Sequence, residues 1–228
     1  MKSVCISRTP LETLASARLV ANYAQSLGIG TMGPGYRAAL SHLGAVLADC
    51  VLQAGVNYRT VVRARVDRIV EFFPETATLP GTTALIERGA VSDFLMWKHS
   101  VKIDRFIQLV KLLETHQIED TNKLQLWLAA ENCRHRLLSI TGIGPKTVDY
   151  LCCLVGIDCI AVDRHVRVFA RAAGVEVNDY DELKLIVSYA ADLLGVSRRS
   201  FDSWIWRLLS RESSSERPIG LSRFAAAQ

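Results

Sequence analysis

The sequence predicts an all-α protein, and three observations carry that expectation. Almost every stretch between turn signals repeats its apolar residues at helical spacing. Only residues 159–162 read as extended, and four residues cannot make a sheet. The 228 residues are 50% apolar, enough to bury one large core or two smaller ones sharing a cleft.

The elements follow in order. Thr9, Pro10 and Glu12 form a capping box with proline at the first helical position, and that helix stops near Gly28. Leu40, Leu43, Val46, Leu47 and Val51 stripe a second helix, and Val62, Val66, Ile69 and Phe73 a third. A fourth is expected over 82–96. Phe106, Leu109, Val110 and Leu113 mark a fifth, and Leu124, Trp127 and Leu128 a sixth that runs on to about Ser139. After a turn at 142–144, helices are expected over 145–154, 163–173, 180–194 and 200–209. The tail from Arg211 is rich in Ser, Arg and Ala and is expected to fray. Residues 28–35 spell a dinucleotide-binding fingerprint by letters, but a helix precedes them and no parallel sheet follows, so they read as a linker at a domain boundary.

Composition excludes disordered and collagen-like chains. No window offers the run of about eighteen apolar residues that a membrane span needs, and the opening lacks the apolar core of a signal peptide. A soluble intracellular protein with no membrane partner is expected. Lys plus Arg number 27 against 23 acidic residues, a net charge of +4 that permits an anionic partner without demanding one. Arginine outnumbers lysine in 58–68, 164–171 and 198–211, where forked guanidinium groups could grip phosphates or simply line solvated helix faces. Cysteines 5, 50, 133, 152, 153 and 159 contain no zinc-ribbon spacing and read as reduced, mostly buried thiols.

The chemistry concentrates in LLSITGIGPKTVDYLCCL, residues 137–154. Here two apolar helices meet at a hairpin of Gly142, Ile143 and Gly144. Glycines let backbone amides approach a ligand, and Pro145 opens a helix whose positive dipole end suits a phosphate. It is not a nucleotide P-loop, because proline precedes Lys146 and the glycine spacing is wrong. Lys146 lies in the first turn, where the dipole disfavours its charge by a few tenths to about 1 kcal/mol. Desolvation in a cleft would complete a nucleophilic amine. Downstream, Asp163 follows the apolar run Ile160, Ala161, Val162 at the start of another helix. An N-cap is the plain reading. A capping carboxylate is also held rigidly and kept ionised, which suits a group facing a developing cation.

Together LLSITGIGPKTVDYL and IAVDRHVRVFARAAGV resemble the helix-hairpin-helix DNA glycosylases of base-excision repair, in particular the endonuclease III-like branch. The resemblance is tight over 125–175 and looser over 36–210. It implies that Gly142, Ile143, Gly144 and Thr147 bind the DNA backbone, with a hairpin-bound monovalent cation as an option, that Lys146 is the nucleophile, and that Asp163 is the essential acid. Gln53 falls where the family has a glutamine filling the gap left by an extruded base, although a helix-end polar residue is the other reading. Trp97, Lys98 and His99 fall at a wedge loop, although a core role suits Trp97 better. The implied architecture is two helical lobes with the helix-hairpin-helix at the cleft between them: 36–150, and 1–35 with 151–228. No cysteine follows Cys159, so the C-terminal iron–sulfur cluster of some relatives is not expected, and no cofactor is.

The implied activity is removal of a damaged or mispaired base from double-stranded DNA, then strand nicking by β-elimination through a lysine Schiff base. The expected protein is a monomer, cytoplasmic and nucleoid-associated in a prokaryote or nuclear in a eukaryote. Two alternatives stay open: a non-catalytic DNA-binding protein, and a monofunctional glycosylase without lyase activity.

Overall fold

The computed structural model describes residues 8–29, 39–130 and 133–212. Cys5, the glycine-rich stretch from Gly30 onward, the domain boundary expected at 35/36 and the tail beyond Glu212 lie outside the described residues. The described residues are all-α. They fall into two compact units, one spanning 38–161 and the other formed by both chain ends, Met1–Arg37 with Val162–Gln228.

The central unit is built around α2 (Leu43–Leu52), all ten of whose residues are buried. An apolar run this continuous must be enclosed on every side. Packed on it are α3 (Arg63–Phe72), α4 (Leu79–Glu87), α6 (Ser100–Thr115) and α9 (Pro145–Leu154). Shorter helices α5 (Val91–Leu95), α7 (Thr121–Ala129) and α8 (Cys133–Leu138) complete the unit. His42 caps α2: its Nδ1 accepts from the Ala45 amide while Nε2 lies 3.1 Å from the Phe73 carbonyl. Burial depresses its pKa, the bond to Phe73 opposing in part. The division falls after Ala161 rather than after 150, because α9 runs unbroken to Leu154 and the chain beyond it turns back. The Leu40 amide donates to the Leu154 carbonyl, and the Cys159 thiol to the Asp149 carbonyl.

The unit of the chain ends contains α1 (Pro10–Ser26), α10 (Arg164–Ala172), α11 (Tyr180–Leu194) and α12 (Arg198–Glu212). The Thr9 capping box opens α1 as the sequence predicts. α1 packs along α11 and α10 against α12, with Phe169 touching Tyr23, Phe201 and Trp204.

Three expected elements differ. The helix over 82–96 is two helices, because Gly89 turns left-handed (φ 68) and the Ala90 amide reaches back to the Leu85 carbonyl, closing α4 in a Schellman turn. The helix running to Ser139 is also two. Ala130 is extended, and the Cys133 thiol donates to the Leu128 and Ala130 carbonyls freed there. The third helix is preceded by a separate π-turn over Tyr58–Val62, capped by Asn57.

Candidate active site

In the central unit the hairpin joins α8 to α9. Its first glycine, Gly142, has φ +83, which side chains rarely tolerate, and a methyl there would lie 1.8 Å from the Arg105 guanidinium. Arg105 Nε in turn donates to the Thr141 carbonyl at 3.1 Å. Gly144 is different: φ is −103, and a methyl there would meet nothing within 4 Å. The amides of Thr147 and Val148 both turn inward to the Gly144 carbonyl, and Pro145 has none. This helix start therefore presents fewer donors than its sequence implies. Ile143 is buried and Thr147 half-buried.

Lys146 is half-buried one residue into α9. Its Nζ donates to Gln53 Oε1 and lies 5.0 Å from the centre of the Tyr150 ring, one turn along the same helix. The Gln53 Nε2 is shielded from water and has no hydrogen-bond partner among the described residues. Gln53 caps the C-terminus of α2, so the structure brings Gln53 and Lys146 together across 93 residues of sequence. Beneath them Asp49 is fully buried, its two oxygens accepting from Tyr58 (2.9 Å) and Tyr150 (2.8 Å). The neighbouring Cys50 thiol is pushed up to about 12 by burial and by the Asp49 charge, so it is not a nucleophile.

In the other unit Asp163 caps α10. Its Oδ1 accepts from the amides of His165 (2.8 Å) and Val166 (3.0 Å), and its Oδ2 lies 2.8 Å from His165 Nδ1. The carboxylate remains 22% exposed, and that opening is what would let a substrate reach it.

Sequence reasoning missed Asp49, Tyr58, Tyr150, Arg105 and His165. Asp49 left one signal, a lone carboxylate inside LGAVLADCVL, and such a charge is buried only when it is partnered. Trp97 is half-buried, with Lys102 Nζ 4.5 Å and Arg65 5.7 Å from its ring. It packs against the apolar core of the central unit, as the core reading expects, and also meets these two cations. Among the described residues no group of three His, Cys, Asp or Glu side chains is arranged to hold a metal ion. None of their helices is long and apolar enough to cross a membrane.

Residues 96–210, half of the chain and including both helix starts, match the family model described as "Domain of unknown function (DUF8548)". The chain belongs to this family. No curated protein matches it in sequence. Among solved structures it is similar to the H. pylori 3-methyladenine DNA glycosylase (MagIII), crystallised with 1,N6-ethenoadenine. The TM-score is 0.62 and the identity 17%, over 86% of this chain and 98% of that one. At that identity the likeness is one of fold.

Proposed function

We propose that this protein is a base-excision DNA glycosylase. The observation that carries the reading is the lysine of the glycine hairpin, set on Gln53 and Tyr150 over a buried carboxylate, in a chain with the fold of a glycosylase that acts on alkylated adenine. The hairpin grips the backbone of double-stranded DNA through Gly142, Ile143, Gly144 and Thr147, and the target nucleotide swings out of the stack. As the glycosidic bond lengthens, positive charge grows on the deoxyribose and Asp163 faces it. The Asp163 oxygens are already fixed by two amides and His165, so the carboxylate does not reorganise when that charge appears.

The finer reading is a bifunctional enzyme. Lys146 leaves Gln53, loses a proton and attacks the anomeric carbon, expelling the base. The C1′–O4′ bond then opens, the amine's second proton passing to the ring oxygen, and the imine so formed loses a proton from the adjacent sugar carbon as the 3′ phosphate departs, nicking the strand. One observation favours a second reading, base release without lyase chemistry: the structural neighbour is named for excision of an alkylated base. In that case Lys146 holds Gln53 in place and a water attacks.

The test is borohydride trapping on a panel of single-lesion duplexes, ethenoadenine among them. A bifunctional enzyme becomes covalently joined to DNA, and Lys146→Ala abolishes the adduct. Base release without an adduct selects the second reading. Absence of both on every lesion sinks the glycosylase assignment and leaves a DNA-binding module.

A further inference from the structure

A basin of about 480 Å³ opens beside the hairpin in the central unit, lined by Ala54, Gly55, Trp97, His99, Lys102 and Arg105, with Val101 on its wall. Among the described residues no carboxylate lines it. Each of its two cations is held by backbone carbonyls. Lys102 Nζ donates to the Leu52 and Ala54 carbonyls at 2.7 and 2.8 Å, at the end of the helix that carries Gln53. Arg105, one turn along α6, donates to the Thr141 carbonyl and fills the space that a side chain at 142 would need. Two adjacent positive charges repel, and each lowers the other's preference for being charged unless an anion lies between them. For Lys102 burial and Arg105 act in the same direction. Two cations held by backbone carbonyls at the lining of one basin therefore make a receptor for negative charge.

The same geometry bears on the metal ion that the family resemblance leaves open at the hairpin. A monovalent cation would need hairpin carbonyls as ligands. The Thr141 carbonyl already accepts from Arg105, and a guanidinium this near Gly142 repels a second cation. The residues present do not fit a metal there.

We infer that Arg105, with Lys102 beside it, takes a backbone phosphate of bound DNA at the hairpin in the role a metal cation would otherwise fill. The guanidinium fork suits a phosphodiester, and the apolar wall of Ala54, Val101 and Trp97 suits the attached sugar. This rests on the reading of the protein as DNA-acting, and the experiment separates the two.

Binding of the full chain to a short duplex is followed by fluorescence anisotropy at matched ionic strength in sodium, potassium and tetramethylammonium chloride. Equal affinity in all three is expected, and a requirement for sodium or potassium overturns the inference. Val101 is half-exposed and makes no polar bond, so Val101→Glu adds an acid to the basin without touching the Arg105–Thr141 bond. It should weaken binding roughly fivefold at low salt and make the dependence of log K on log salt shallower by about one. Arg105→Gln should act in the same sense, whereas Val101→Gln, which adds no charge to the basin, should leave the dependence of log K on log salt unchanged. Wild-type affinity and slope in Val101→Glu overturn the inference while leaving DNA binding intact. Inorganic phosphate should displace the duplex no better than chloride at equal ionic strength. Displacement that Val101→Glu alone abolishes, with duplex affinity unaltered, identifies a free-phosphate site instead and also overturns it. A wild-type chain that binds no duplex at all sinks the glycosylase reading itself.

Discussion

Two helix starts, those of α9 and α10, hold the proposed chemistry, and they are built in opposite ways. At α10 the carboxylate proposed to act is the cap. Asp163 satisfies two amides and a histidine, so the fold needs it whatever the reaction. At α9 the cap is Gly144, and the functional group is a lysine placed where a helix dipole disfavours it. Its tether is a side-chain amide from another helix rather than the local backbone. The acid is anchored by secondary structure and the amine by tertiary packing, so mutations should separate fold from function at one start differently than at the other.

The largest expected effect is at Asp163. Asparagine caps a helix about as well as aspartate, so Asp163→Asn should melt with wild type while single-turnover base release falls about a hundredfold or more. Asp163→Ala should lose the same activity and, in addition, about 1 kcal/mol of stability. Equal melting of the two variants would remove the cap from the account.

Under the α9 start, Asp49→Ala would remove the buried acceptor that the hydroxyls of Tyr58 and Tyr150 share. It should cost about 2–5 kcal/mol, seen as a lower denaturant midpoint. Tyr58→Phe, which removes one donor from the edge of that network, should cost about 1 kcal/mol.

The hairpin glycines sharpen the contrast within one start. Gly142→Ala meets both a left-handed backbone and the Arg105 guanidinium, and should lose at least about 1–2 kcal/mol. Gly144→Ala meets open space and should stay within about 0.5 kcal/mol of wild type. It should nonetheless weaken duplex binding, because its methyl fills the approach left to a ligand. Equal stability of the two variants would show that Gly142 is not held as described.

The smallest effect is a pH dependence in the central unit. Burial disfavours the charged ring of His42 in the folded state, so its pKa lies below the ordinary 6.5, the bond to the Phe73 carbonyl opposing in part. The unfolded chain therefore binds the proton first. The stabilisation is complete above pH 6.5 and drains away as pH falls below it, toward the depressed folded value. His42→Asn keeps a capping oxygen and should flatten that slope in denaturant titrations at stepped pH.

Features set by a few neighbouring residues were legible in the sequence. The Thr9–Glu12 box, proline at the start of α9, the Asp163 cap and the hairpin glycines are each local, and each is where its letters predict. The break at Gly89 was also written there, but the apolar periodicity on either side concealed it. Partnerships across the fold were not legible. Nothing near Lys146 names Gln53, nothing near Gly142 names Arg105, and the tyrosines of Asp49 lie 9 and 101 residues away. Periodicity reports which face is buried and is silent on which buried polar atom meets which.

The proposed dual employment of Asp163 has a consequence for tracing how relatives diverge. A lineage that abandoned its chemistry would still be under pressure to keep an aspartate or asparagine there, because the helix beginning at Arg164 depends on it. An acid at that position is therefore a poor witness to activity. On the proposed mechanism the lysine after the hairpin, which secondary structure does not require, is the residue whose disappearance would record a change of trade.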